Sequence, residues 1–175
     1  PTVSGLWVQA LHDNRELALR LSWDDPSRSP DPAWNEWQAL VTSSMEPKDD
    51  AAEATGALPD AFAVQFAAPA GDARDLPYFL MGDARRPVYL WEWTSQAGVR
   101  EGMARGLANR APLPADGAPV QASAQFTDGR WHLLLRRALV PQGNAIRTTV
   151  PIGAGTPVAF YAWDGSNGEA GTRGA

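Results

Sequence analysis

The sequence predicts an all-β fold, an antiparallel sandwich or barrel, and three observations carry that reading. Several short runs alternate apolar and polar residues with period two, the signature of half-buried strands. An Asp128-Gly129 pair sits between two such runs, the strongest short-range signal for a hairpin. The 16 Gly and 15 Pro among 175 residues punctuate the chain too heavily for long helices. At this length one domain spanning 1–175 is expected, with a loop and short-helix excursion at about 27–58. Such a chain buries roughly 70% of its unfolded surface, so a core can form without disulfide or metal.

Taken in order, Leu6 to Leu11 reads as a first strand and His12-Asp13-Asn14 as its turn. Glu16 to Trp23 alternates cleanly, with Leu17, Leu19, Leu21 and Trp23 on one face, and Asp24-Asp25-Pro26 stops it. Within the excursion, Asp31 as N-cap and Pro32 at the first helical position predict a short helix from Pro32 to Ser43. Met45 to Gly56 is polar and Ala-rich, a loop. Ala61 to Phe66 places Phe62, Val64 and Phe66 in register, and Val88 to Trp93 follows a Pro-terminated turn. Ser95 to Asn109 carries three glycines in a weak helical pattern and fits no element cleanly. Val120 to Thr127 and Arg130 to Arg137 flank the Asp-Gly turn, and Val158 to Trp163 is the last strand.

Composition removes whole classes of chemistry. With no cysteine there is no disulfide scaffold, thiolate zinc site, iron–sulfur cluster or covalent c-type haem attachment. The net charge of −5 and scattered arginines give no footprint for nucleic acid. No run of eighteen apolar residues is present, so no membrane-spanning helix is expected. There is no Gly-x-Ser-x-Gly elbow and no phosphate loop, and Lys48, the one lysine, lies in a polar loop. The two histidines, His12 in a turn and His132 on a strand, have no third partner at ligand spacing, so a metal hydrolase lacks support.

The Asp-Gly hairpin fixes which side chains share a face. A two-residue turn pairs Thr127 with Arg130, Phe126 with Trp131, Gln125 with His132 and Ala124 with Leu133. Trp131, Leu133, Leu135 and Arg137 then lie on the packed face. His132 lies on the more polar face with Gln121, Ser123 and Gln125, either as a surface histidine or as a ligand looking into a pocket. Met81 stands between a Pro turn and a Gly turn beside an aromatic strand. A methionine there is a flexible core filler or one of the few soft axial ligands for haem iron. Tyr89, Trp91, Trp93, Tyr161 and Trp163 suit either a sandwich core or the walls of an apolar slot.

Several stretches in order carry a family resemblance. They are Leu21-Ser22-Trp23-Asp24-Asp25-Pro26-Ser27, Pro59 to Phe66, Leu80-Met81-Gly82-Asp83 with Pro87 to Trp93, Asp128-Gly129-Arg130-Trp131 with Arg137, and Trp163 to Gly168. Together the chain resembles the haem-b-binding gamma subunits of periplasmic molybdenum enzymes, the family of ethylbenzene dehydrogenase, dimethylsulfide dehydrogenase, selenate reductase and chlorate reductase. The resemblance runs from about Val3 to the C-terminus and is weakest over Pro30 to Gly56.

It implies a β-sandwich similar to family 9 carbohydrate-binding modules, holding one non-covalent haem b through a Met and, in the best-known relatives, a Lys. The Met falls on Met81. The Lys falls on the strand where this chain has Gln121, Ser123 and Gln125, and His132 on the same face is expected to replace it. Trp91 would line the haem, and Arg137 (or Arg136) would pair with its propionates.

The expected role is electron transfer in the periplasm rather than catalysis. The expected partners are molybdenum/iron–sulfur subunits, or c-type haem domains of the same polypeptide, and a soluble acceptor. A chain of this kind is either a whole subunit or a C-terminal module cut from a larger cytochrome. The competing reading is a carbohydrate-binding-like module of the same fold without haem, stacking sugars on exposed tryptophans.

Overall fold

The structure is a computed structural model that describes residues 3–31, 33, 58–69 and 76–171. Two antiparallel sheets face each other as a sandwich, in agreement with the expected fold class. The expected helix over 32–43 and loop over 45–56 lie, residue 33 apart, outside the described residues.

The first sheet has β1 (Leu6–His12), β2 (Glu16–Asp24), β7 (Gln121–Thr127) and β8 (Arg130–Ala138), in the order β1-β2-β8-β7. The second has β3 (Ala61–Ala67), β4 (Val88–Thr94), β5 (Gly98–Ala104), β6 (Arg110–Pro112) and β9 (Val158–Trp163), in the order β6-β5-β4-β3-β9. The β7–β8 hairpin has the expected register, with Gln125 opposite His132 and Phe126 opposite Trp131. Asp128 and Gly129 both have positive φ (51° and 68°), as the tight turn requires. A 3-10 turn, Gly165–Asn167, follows β9 and is capped by Asp164.

The stretch from Ser95 to Asn109 contains β5, and β6 begins just after it. Gly98 and Gly102 interrupt the period-two pattern that would mark β5 as a strand. At Gly102 a Cβ would stand 2.9 Å from Glu92 Oε2 on the neighbouring strand, so the close approach of β5 to the Glu92 side chain needs a residue without one.

The core lies between the sheets. Leu19, Leu21, Trp23, Leu133 and Leu135 meet Phe62, Val64, Phe66, Tyr89, Trp91 and Trp93 there. Trp23 stacks on Phe62 with ring centroids 4.8 Å apart, and Trp93 meets Trp131 edge-on at 4.8 Å. β3 and β4 are buried on both faces, not on alternate residues. Their outward residues Ala63, Val88 and Leu90 form a second apolar cluster with Met81, Ala104, Tyr161 and Trp163. The second sheet is therefore a middle layer.

Candidate functional site

Met81 is fully buried in that outer cluster. Its backbone is left-handed, with φ of 61°, and Gly82 follows at 72°. A left-handed residue with a side chain costs about 1–3 kcal/mol and persists only where its surroundings hold it. Several bonds do so here. Gly82 N–H donates to Tyr78 O at 2.9 Å, and Gly106 N–H donates to Met81 O at 2.8 Å. Met81 N–H donates to the Tyr161 hydroxyl at 3.2 Å. That hydroxyl in turn has Gln65 Oε1 at 2.6 Å and Phe79 O in contact as acceptors. Burial pushes the Tyr161 phenol upward in pKa, partly opposed by the Met81 N–H, so it remains a neutral relay. At Gly82 a Cβ would lie 2.5 Å from Arg86 O, so this turn admits only glycine.

Around Met81 the sheet presents small side chains. Ala63 and Ala104 are buried there beside Val88 and Leu90, with Ala61, Leu107 and Ala159 packed against them and Tyr161 and Trp163 alongside, their rings stacked at 5.9 Å. A cavity of about 150 Å³ opens beside Ala63 and Trp163, with Glu92, Arg100 and Arg110 in its wall. Glu92 accepts from Arg100 at 3.1 Å and from Arg110 at 3.2 Å. Glu169 lines the same cavity, so two guanidiniums face two carboxylates there.

The other three expected site residues are elsewhere. Trp91 and Arg137 come together between the sheets, with the guanidinium 5.3 Å from the indole and 5.2 Å from the Tyr89 ring. Arg137 donates to Ala138 O at 3.0 Å and Thr148 O at 2.6 Å, which ties it to backbone in the core. Trp91 Nε1 donates to the Tyr89 hydroxyl at 2.9 Å. Both residues are thus separated from Met81 by the middle sheet itself.

His132 faces outward from the first sheet, as the hairpin register implies, and its Nδ1 hydrogen-bonds Ser22 Oγ at 3.2 Å. Met81 and His132 therefore lie on opposite outer surfaces of the sandwich, with both sheets (about 10 Å apart) between them. They cannot ligate one iron, so the expected Met81/His132 pair is corrected. The cause is plain: strand alternation gives a residue's face but not where the other sheet's outer face lies.

His12 ends β1, where its Nδ1 accepts from Asn14 N–H at 3.4 Å. It borders an apolar cleft of about 440 Å³ that also includes Leu17, Val150 and Val158. Sequence reasoning missed Tyr161 as the anchor of the Met81 turn. The signal was a tyrosine on the outward face of a strand otherwise alternating into the core.

A family model described as "Ethylbenzene dehydrogenase" matches residues 2–109, a span that includes Met81 and β1 to β5. The chain belongs to this family. Chlorate reductase subunit gamma of Ideonella dechloratans is 30% identical over 169 residues, covering 94% of this chain. The chain spans 58% of that relative's length.

The haem implied by this ethylbenzene dehydrogenase family resemblance needs a soft or imidazole ligand, a flat apolar wall and cations for its carboxylates. The Met81 cluster offers a buried thioether among apolar side chains, and Arg100 and Arg110, each paired with Glu92, supply guanidiniums on the same sheet, so these residue types suit one side of such a site.

Proposed function

We propose that the chain is an electron-transfer domain binding one non-covalent haem b, acting as all or part of a gamma-type subunit rather than as a catalyst. The observation that carries this reading is the thioether of Met81, held fully buried on an apolar outer sheet face by a left-handed backbone. A bound haem supplies one-electron exchange between ferric and ferrous iron. Met81 would hold the iron through its sulfur, and a thioether ligand raises the reduction potential. Tyr161 fixes the Met81 backbone, and Arg100 and Arg110 would take the propionates by charge-assisted bonds. The apolar outer cluster keeps water from the sulfur.

A molybdenum/iron–sulfur enzyme as partner and the periplasm as compartment belong to the same proposal. Their support is the family membership and the gamma-subunit relative. The sugar-stacking reading finds little surface. Of the six described tryptophans five are buried, and Trp7, 51% exposed, carries the Arg130 guanidinium 4.4 Å from its ring centroid.

The test is haemin titration of the purified chain with a pyridine haemochrome assay. The expected result is one haem b per chain with a low-spin Soret spectrum, and Met81→Ala converts it to high spin. A chain that takes up no haemin, or a Met81→Ala spectrum identical to wild type, overturns the proposal.

A further inference from the structure

Three carboxylates meet at one end of the sandwich. Asp25 follows β2, Asp60 precedes β3 and Asp164 follows β9, and each is at most 1% exposed. One oxygen of each lies within 4.8 Å of one from each of the others. None of the three is in an ion pair among the described residues, so three carboxyl groups share a buried site with no basic side chain paired to them there.

Their outer bonds fix them toward each other. Asp60 Oδ2 accepts from Ser29 N–H at 2.6 Å and Trp131 Nε1 at 3.1 Å, and its Oδ1 accepts from Gly165 N–H at 3.0 Å. Asp164 Oδ1 accepts from Ser166 N–H at 2.9 Å, Ser166 Oγ at 2.6 Å and Asn167 N–H at 3.2 Å. Asp25 Oδ1 accepts from Ser27 N–H at 3.1 Å. Among the described residues its Oδ2 is buried with no hydrogen-bond partner. A buried carboxylate oxygen left bare is costly, and one aimed at two further carboxylates is a ligand position waiting for a cation. Gly165 makes the convergence possible, because a Cβ there would stand 1.8 Å from Leu58 O.

We propose that Asp25, Asp60 and Asp164 form a calcium site that staples the first sheet to the second. The donor set is all oxygen, without imidazole or thiolate, which selects a hard cation over zinc or copper. Three carboxylates from three separate chain segments suit the adaptable coordination of Ca²⁺ better than the strict octahedron of Mg²⁺. The backbone N–H groups and Trp131 Nε1 orient the ligands from behind. Since the three segments converge only in the folded chain, binding adds directly to folding stability.

The experiment uses the full chain stripped with EGTA and titrated with CaCl₂, MgCl₂ or TbCl₃. One Ca²⁺ per chain is expected by elemental analysis. At a 100-fold excess over Kd the melting temperature rises by about 5–10 °C. Terbium emission excited through tryptophan is expected, because the Trp131 indole touches Asp60. Asp25→Asn abolishes both responses, while Asp24→Asn, whose carboxylate is exposed and paired with Arg130, leaves them intact. Absence of any Ca²⁺-dependent shift in the stripped wild type overturns the proposal whether or not Asp25→Asn folds. So does a retained response in a folded Asp25→Asn, and a response to Mg²⁺ but not Ca²⁺ overturns the calcium assignment.

Discussion

Arg147→Met tests how the long connections are held to the sandwich. Arg147 and Glu101 are 1% and 2% exposed at their side chains, with Arg147 Nε donating to Glu101 Oε2 at 2.6 Å. The same guanidinium reaches Asp116 at 2.7 Å, Gln142 O at 2.9 Å and Pro114 O at 2.9 Å. One side chain thus ties the segments after β6 and after β8 to the middle of β5. Methionine keeps most of the volume and removes every one of these bonds. Glu101 would be left buried, with the Tyr89 hydroxyl and Val120 N–H as donors but no counter-charge. Removing one partner of a buried pair costs about 3–5 kcal/mol. For a chain of this size, that lowers the melting temperature by roughly 6–20 °C. Urea and thermal unfolding followed by circular dichroism read the loss. Adding Glu101→Gln to Arg147→Met removes the stranded charge, so the double variant is less destabilised than the sum of the singles. A loss under about 1 kcal/mol for Arg147→Met, or strict additivity, would refute the idea that this pair carries the connections.

Three further outcomes are expected. In EGTA-treated protein, burial and the neighbouring Asp60 push the Asp25 carboxyl up to about 7. The folded state then binds the extra proton, so this group's contribution to stability is full below about pH 4 and is lost as pH rises through about 7. Thermal melts across that window check it, and saturating Ca²⁺ is expected to flatten the slope. Tyr161→Phe removes the hydroxyl that receives Met81 N–H, costing about 1–2 kcal/mol by urea unfolding and broadening the spectrum of haem-loaded protein. His132→Ala leaves the haem spectrum unchanged and shifts stability by less than about 1 kcal/mol, because its ring lies on the far surface and bonds only Ser22 among the described contacts.

The strands and the β7–β8 register were legible because alternation and turn chemistry are local. Asp128-Gly129 fixes its own pairing, and the face of His132 followed correctly from it. β5 was not legible, since its glycines erase the period-two signal while answering a need set by Glu92 on another strand. The candidate site was legible only in part. Met81 stood out by its turn, but placing it relative to Trp91, His132 and Arg137 requires knowing which face of which sheet each occupies, and that is decided by pairings between residues far apart in the chain. Trp91 and Arg137 were sensible choices by residue type, yet the core uses their area and charge internally. Asp25, Asp60 and Asp164 each fall in a family-like stretch, but their convergence was not legible, because each residue alone looks like an ordinary turn or cap aspartate.

The middle layer also sets how the molecule breathes. Amide hydrogens of β3 and β4 are covered from above and below, so they trade with solvent only when the whole chain lets go. β7 lies at a rim with nearly all its residues exposed, and can peel away and return on its own. The face that carries Met81 is thus built on the slowest-opening part of the polypeptide, and whatever rests on it inherits that persistence.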